Sequence, residues 1–273
     1  MAAAQEIEWP ALAWDGDVLD AATYQPRARS TAMLDAAWHL REAIVLCLLP
    51  PGAKLPPEPE LARRLGVGVV TVRTVLSQLR AEGFIVTRRG RYGGSWVASG
   101  DAVVEASMRS TSFDFDELRA LSEVLIGLEA QAMGLAALRA TDDERAEFIA
   151  IASQPRDGVG IHERQRHANV FHLRVAQAAR NAELLASIRR YRARLQEQRT
   201  VAVGHLVFCT NNVNYLLVIA EAIAAGDADV ARNLCHRFLS ECWGCNFAVM
   251  GYAAGADGRD VDLVGPLDAR RYG

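Results

Sequence analysis

Residues 58–97 read EPELARRLGVGVVTVRTVLSQLRAEGFIVTRRGRYGGSWV, and this stretch decides the fold of the N-terminal half. Apolar residues recur at steps of three and four in its middle: Val69, Val72, Leu76 and Leu79. That spacing predicts a helix over 69–81, preceded by a Gly turn and a shorter helix over 58–65. Two β runs follow at 84–86 and 95–97. The order predicts a winged helix-turn-helix, which presents its second helix to a DNA major groove.

The predicted DNA contacts lie on both helices and at the tip of the hairpin. Arginine reads guanine through two hydrogen bonds, whereas threonine and basic hairpin residues meet phosphate and exposed valines can press on thymine methyl groups. The candidates are Arg63, Val69, Val70, Thr71, Arg73, Arg88, Arg89 and Arg91. An alternative remains open, because winged helices also serve as protein-interaction modules.

Length and charge predict two domains of unlike character. The 273 residues carry a net charge of -3, yet residues 31–98 hold nine basic and five acidic residues, a net of +4. The remainder therefore carries about -7, so a basic DNA-binding domain precedes an acidic body. The predicted segments are an N-terminal extension (1–30), the winged helix-turn-helix (31–98), a linker (99–112), a helical domain (113–250) and a flexible tail (251–273).

The body is predicted to be an all-α bundle, which makes the whole chain mostly α. Helical patterns cover 115–140, 161–179, 183–203, 212–225 and 228–250. Thr141 and Glu144 form a capping box, in which each side chain bonds the other residue's backbone, and this predicts a further helix to about residue 152.

Several classes of protein are disfavoured by what the sequence lacks. We find neither a run of about 18 apolar residues nor a secretory signal, which predicts a cytoplasmic chain without a membrane partner. The five cysteines are an odd number and are expected to be reduced thiols. No nucleophile elbow, phosphate-binding glycine loop or acid–base cluster is recognisable, so we expect no catalytic residues, no cofactor and no enzyme activity.

The chain resembles the GntR superfamily of bacterial transcription regulators. The matching segments are LREAIVLCLLPPGAKLP, ELARRLGV and TVRTVLSQLRAEGFIVTRRGRYGGSWV, and the body resembles the FadR-type FCD domain through LAALRATDDE, FHLRVAQAARNAEL and AIAAGDADVARNL. The resemblance implies a homodimeric repressor that binds a pseudo-palindromic operator and holds a small-molecule effector in its bundle. This chain departs from the family at Pro59, Val69 and Val70, which keeps open the alternative of an interaction module with a decayed DNA reader.

The resemblance also implies a metal site whose ligands this chain has lost. Many FCD proteins bind a divalent metal at the positions occupied here by Ala168, His172, Leu216 and Phe238. One imidazole cannot hold zinc, so we predict no metal and a mainly apolar pocket. The predicted pocket residues are Leu125, Ala168, Asn169, His172, Leu216 and Phe238. Two alternatives remain: His172 is a satisfied core histidine, or the pocket is filled and takes no effector.

Two further patterns on the body have competing interpretations. Cys235, Cys242 and Cys245 share a helical face and could form a thiolate site, although buried core thiols are the more common case. The basic run at 189–194 is interpreted as a solvated face or a dimer surface, with a second nucleic-acid contact as the minor alternative.

Overall fold

The computed structural model describes residues 32–90, 93–154, 160–203 and 215–253, without side chains for residues 161, 201–203 and 244–253. The predicted N-terminal extension and all of the predicted tail beyond residue 253 lie outside these ranges. Within them, the described chain forms ten helices and two strands in two compact units. The prediction of a mostly α protein, with a winged helix-turn-helix before a helical bundle, is confirmed.

The first unit contains the winged helix-turn-helix. Its elements are α1 (Ala32–Val45), α2 (Glu58–Leu65), α3 (Val69–Glu82), β1 (Ile85–Arg88), β2 (Gly94–Val97) and α4 (Gly100–Ser110). Helices α1 and α2 both pack against α3. The strands are antiparallel, with Val86 opposite Trp96 in the register. The buried face of α3 is formed by Val72, Val75, Leu76 and Leu79, whereas Val69, which the apolar spacing assigned to that face, is only half-buried.

Glycine ends both helices of the helix-turn-helix motif. Gly66 has φ 64° and Gly83 has φ 94°, the left-handed conformation that caps helix C-termini. A side chain at Gly83 would also meet the guanidinium of Arg109, since an added Cβ would lie 2.8 Å from Nη2. These two positions explain why short helices with a sharp turn form here.

Helix α1 ends where the side chains of Gln165 and Asn169 contact carbonyl groups. Its last residue is Val45, and Cys47 follows with φ 55°. Two carbonyl groups at this end accept side-chain hydrogen bonds, Val45 O from Gln165 Nε2 at 3.3 Å and Leu46 O from Asn169 Nδ2 at 2.8 Å. These bonds satisfy backbone acceptors that a helix end leaves without partners, and residues 160–170 accordingly belong to the first unit.

The segment predicted as a linker, 99–112, is mostly the helix α4. Its serines bond back to their own helix, as Ser107 Oγ does to Val103 O at 2.9 Å, so they do not mark a loop. Arg109 Nη2 donates to Glu82 O at the end of α3, and Arg41 Nη2 donates to Ser110 Oγ at 2.7 Å. Arg41 also stacks on Phe84, 4.9 Å from its ring centroid. Helix α4 is therefore part of the DNA-binding unit.

The second unit is a helical bundle. Its helices are α5 (Phe115–Arg139), α6 (Asp142–Ala152), α7 (Ile161–Ala178, of which the part from Phe171 belongs here), α8 (Ala182–Val203), α9 (Tyr215–Ala224) and α10 (Ala228–Ala253). Helix α5 packs against α8, α9 and α10. The predicted capping box is confirmed, because Thr141 and Glu144 bond each other's backbone at the start of α6. Residues 251–253, predicted as tail, continue α10.

Helix α5 approaches α10 closely at Gly134. An added Cβ there would lie 2.7 Å from Arg232 Nη2 and 3.1 Å from Ala228 O. By length and composition α5 is also the one described helix that could cross a membrane, although charged and polar residues interrupt its apolar sequence. However, 56% of its most apolar window is buried inside the bundle. Core helices of soluble proteins can be equally long and apolar, so α5 is weak evidence for a membrane-spanning segment.

Candidate functional sites

The first candidate site is the exposed start of α3 in the winged helix-turn-helix. Val70 is 75% exposed, and Arg73, one turn further along, has a side chain that is 66% exposed. Thr71 and Val69 are half-buried at the same end, and Arg63 is exposed on α2. The structure thus brings the predicted recognition-helix residues to one accessible helix end.

Arg73 is held by the preceding helix. Its Nε donates to Glu58 Oε2 at 2.7 Å, and both side chains are solvent-exposed. A charge-assisted bond of this kind fixes the plane of a guanidinium group. The sequence analysis did not identify Glu58 as a contributor to this site, although its place at the start of α2 was known.

The wing carries a stacked pair of cations on an indole ring. The guanidinium of Arg88 lies 4.2 Å from the centroid of Trp96, and Lys54 Nζ lies 5.6 Å from the same ring. Cations over an indole face are attracted by its quadrupole. Arg89 is exposed at the end of the hairpin, while Arg91 lies outside the described residues. Lys54 and Trp96 were missed by the sequence analysis, since they are distant in the chain.

The second candidate site is a group of charged side chains inside the bundle, formed by Glu129, His172 and Arg192 and called here the buried polar centre. Glu129 and His172 are each 1% exposed, and Glu129 Oε2 lies 3.0 Å from His172 Nδ1. Arg192 donates to the other carboxylate oxygen, Oε1. His172 Nδ1 and Glu129 Oε2 are therefore at ion-pair distance, and among the described residues neither atom has a partner that meets the geometry of a hydrogen bond.

For Glu129 and for His172 alike, burial and the oppositely charged neighbours shift the pKa in opposite directions. Burial raises the pKa of Glu129, but its interactions with Arg192, and with His172 once that ring is protonated in acid, outweigh burial and lower the pKa to about 2. Burial lowers the pKa of His172 despite the opposing effect of Glu129. We therefore treat Glu129 as ionised and His172 as neutral near pH 7, with Arg192 supplying the balancing positive charge.

Aromatic and thiol groups surround the buried polar centre. The rings of His172 and Tyr215 are 6.5 Å apart between centroids, and those of Tyr215 and Phe238 are 5.5 Å apart. Cys235 is fully buried, and burial raises the pKa of its thiol well above the usual value, with Glu129 acting in the same direction. A thiol held protonated in this way is a poor metal ligand and a poor nucleophile, which favours the core interpretation of Cys235. The side chain of Cys245 lies outside the described residues.

The structure brings together part of the predicted pocket. His172, Leu216 and Phe238 are buried in the second unit, whereas Leu125 packs in a core cluster with residues such as Leu118 and Ile188. Ala168 and Asn169 fall in the stretch of α7 that belongs to the first unit, where the amide of Asn169 bonds Leu46. Glu129 and Arg192, which are not among the predicted pocket residues, lie beside His172.

Part of the basic run at 189–194 is not a solvated face. Arg189 is 5% exposed, and the side chain of Arg192 is 12% exposed beside Glu129, although Arg190 and Arg194 do face solvent. A buried carboxylate needs a charged partner, and here α8 supplies it across the bundle. Among the described side chains, no three His, Cys, Asp or Glu residues converge as metal ligands.

Comparisons with known proteins identify both units. The profile described as bacterial regulatory proteins, gntR family, matches residues 34–93, and the FCD domain matches residues 117–241. The putative L-lactate dehydrogenase operon regulatory protein of Escherichia coli K12 is 34% identical over 206 residues, which cover 69% of this chain and 76% of that protein.

Two further comparisons are more distant. The putative HTH-type transcriptional regulator RmpR of Mycobacterium gastri is 32% identical over 168 residues, or 59% of this chain, and the match spans only 58% of that relative. The solved structure of E. coli McbR/YncC has a TM-score of 0.47 at 16% identity, covering 82% of this chain and 99% of that one.

Proposed function

Since this chain belongs to the gntR family of bacterial regulatory proteins and carries an FCD domain, we propose that it is a homodimeric repressor controlled by a small molecule. The first unit binds the operator, and the second unit pairs the two copies and holds the effector. The chain is a transcription regulator, and its relatives are not enzymes. Repression, dimerisation and effector binding are the proposed steps.

One observation carries the proposal for DNA binding: the exposed end of α3 and the basic wing lie in the same unit. Arg73 and Val70 face solvent on α3, where a guanine edge and a thymine methyl group are suitable partners. Arg88 and Arg89 supply positive charge at the hairpin for phosphate contacts. The interaction-module alternative needs neither this exposed arginine nor the basic hairpin.

A dimer is proposed because helix-turn-helix proteins read two half-sites. Two copies related by twofold symmetry match a pseudo-palindromic operator with half-site centres about one helical turn apart. A dimer seated over a promoter excludes polymerase, which is the basis for proposing repression. Sedimentation should give a dimer at micromolar concentration, and a stable monomer bound to one half-site would contradict the proposal.

The test of the regulator function is genome-wide mapping of bound DNA. We expect the protein to occupy a small number of sites that share a pseudo-palindromic sequence, including one near its own gene. The Arg73→Ala variant should lose these peaks while remaining folded, whereas Arg80→Ala, at the far end of the same helix, should keep them. Absence of specific peaks for the unaltered protein would favour the interaction module.

The effector is proposed to have an apolar body. Leu216 and Phe238 are both 6% exposed beside Tyr215 and provide apolar surface near His172, and burial of apolar ligand area is the main source of affinity in such sites. Thermal-shift screening should show stabilisation by compounds with an aromatic or aliphatic body. Stabilisation by small dicarboxylates that survives Leu216→Asp in a folded protein would contradict the apolar site.

A further inference from the structure

The buried polar centre contains polar atoms that have no hydrogen-bond partner among the described residues. Arg192 donates to Glu129 Oε1, while Glu129 Oε2 has no hydrogen-bond partner among the described residues. The same is true of both ring nitrogens of His172, which is 1% exposed. Buried polar atoms without partners are rare in folded proteins and call for a bound molecule or a water to complete them.

The orientation of His172 determines which ligand group can form a hydrogen bond with its free ring nitrogen. Its Nδ1 faces the carboxylate of Glu129 at 3.0 Å, which favours the tautomer that carries hydrogen on Nδ1. Nε2 then bears a lone pair in a buried position. An atom of this type is satisfied by a donor such as a hydroxyl group and is not satisfied by a carboxylate.

The charge of the buried polar centre argues against an anionic ligand. The carboxylate of Glu129 and the guanidinium of Arg192 form a direct ion pair, and burial keeps His172 neutral by lowering its pKa. The three groups therefore sum to no net charge. A carboxylate placed beside them would lose its hydration and would also meet the negative charge of Glu129.

We propose that the buried polar centre recognises a neutral hydroxyl compound, which donates a hydrogen bond to His172 Nε2 and lays an apolar ring against Tyr215 and Phe238. This inference rests on the proposed effector function and narrows its ligand class. The two aromatic rings are 5.5 Å apart between centroids and, with His172, form a row of rings beside the acceptor atom. Aromatic rings pack favourably in offset or edge contacts of this kind.

The test compares three probes of similar size on the full-length protein: benzyl alcohol, benzyl methyl ether and benzoate. The alcohol can donate a hydrogen bond, the ether cannot, and benzoate carries a negative charge. Calorimetry or ligand-observed NMR should show that the alcohol binds about tenfold more tightly than the ether, as expected for one buried hydrogen bond. Benzoate should bind more weakly than either.

Substitutions at His172 assign the preference to one atom. His172→Phe should abolish the difference between alcohol and ether, whereas His172→Gln should keep part of it, because the amide oxygen accepts a hydrogen bond. His236→Gln is the matched control, since His236 is exposed on α10, and it should bind all three probes as the unaltered protein does. If His172→Phe does not fold, the binding of the three probes to the unaltered protein and to His172→Gln tests the inference instead.

Four results would overturn the inference: equal binding of alcohol and ether, tighter binding of benzoate, an alcohol preference that persists in His172→Phe, or no binding of any probe at millimolar concentration. The last result would indicate that water fills the buried polar centre. Operator binding by the unaltered protein is measured in parallel. If it is retained, only the ligand class fails, whereas its absence would contradict the regulator function itself.

Discussion

Glu58 Oε2 accepts a hydrogen bond from Arg73 Nε at 2.7 Å, so the arginine of α3 is oriented by the helix that precedes it. Among the described residues this contact involves Nε alone, which leaves Nη1 and Nη2 for the two acceptors of a guanine. Arginine supplies two such parallel bonds when its plane is fixed. The pair therefore gives Arg73 a defined geometry before DNA arrives.

Arg73→Ala should weaken binding to the mapped operator by about 1–3 kcal/mol, because it removes the best-placed base contact. Titration of fluorescent operator and scrambled DNA measures the change for each. Arg80→Ala, with an exposed arginine in the last turn of the same helix, should leave operator preference intact. An unchanged preference in Arg73→Ala would show that another residue reads the base.

Glu58→Gln should reduce sequence discrimination while raising affinity for unrelated DNA. The substitution removes a negative charge beside the exposed end of α3 and replaces the charge-assisted bond to Arg73 with a weaker, neutral one that holds the guanidinium less firmly. An exposed ion pair contributes at most about 1 kcal/mol to folding, so the variant should remain stable. Competition between operator and scrambled DNA measures both effects, and a variant with improved discrimination would contradict the orienting role.

Arg89→Ala or Arg91→Ala should lower affinity for all DNA sequences by similar factors. Each replaced phosphate contact should reduce the slope of log affinity against log salt by about 1. Binding measured over a range of salt concentrations gives the slope for each variant. A change in base preference with an unchanged salt slope would assign the wing residue to base reading instead.

Purified protein should contain no stoichiometric zinc, nickel or manganese in its helical unit. The resemblance to FCD proteins implies four ligand positions, three of which are occupied here by Ala168, Leu216 and Phe238, and none of these side chains can bind a metal. Elemental analysis after gel filtration measures the content. About one metal per chain, lost in His172→Ala, would overturn this prediction.

Acid should destabilise the helical unit in two steps. The pKa of His172 is lowered below 6.5 and that of Glu129 from 4.5 to about 2, so the unfolded chain binds protons first in both cases. The contribution of both groups to the free energy of unfolding is fully present above pH 6.5. It decreases below pH 6.5 as His172 becomes protonated, and again below pH 4.5 as Glu129 becomes protonated. Arg192 and Cys235 also face this group, and the thiol of Cys235, whose pKa is raised well above its usual value by burial, stays neutral in that range.

Denaturant unfolding between about pH 8 and pH 5 measures the first step, in which the free energy of unfolding should decrease as the pH falls. His172→Gln should remove the first step and retain the second, while His236→Gln should change neither. Stability that rises as the pH falls from 8 to 5 would mean that the pKa of His172 is raised in the folded protein.

Local signals made much of the fold predictable. Gly66 and Gly83 end helices through a conformation that other residues avoid, and the capping box of Thr141 and Glu144 is complete within four residues. In each case the residues that determine the structure are neighbours in the sequence. The same holds for the exposed residues at the start of α3, because the spacing of the apolar residues on one face of the helix determines which residues lie on the opposite face.

The contacts that the sequence could not predict join distant residues. Arg192 lies in a run of arginines that resembles a solvated surface, and only the fold shows that it meets Glu129, 63 residues earlier in the chain. Helix α4 contains glycine and serines, which favour a loop by composition. Its contacts through Arg109 with the end of α3 stabilise a helix that local propensity leaves undecided.

The contacts of Arg41 and Arg109 bear on how a DNA-binding fragment could be isolated. A fragment cut at residue 98, where the strands end, would remove Arg109 from the carbonyl of Glu82 and Ser110 from Arg41. The end of α3 would then lose the helix that packs against it. The shortest fragment that keeps these bonds extends to Ser110, so the DNA-binding unit of this regulator includes the helix that follows its two strands.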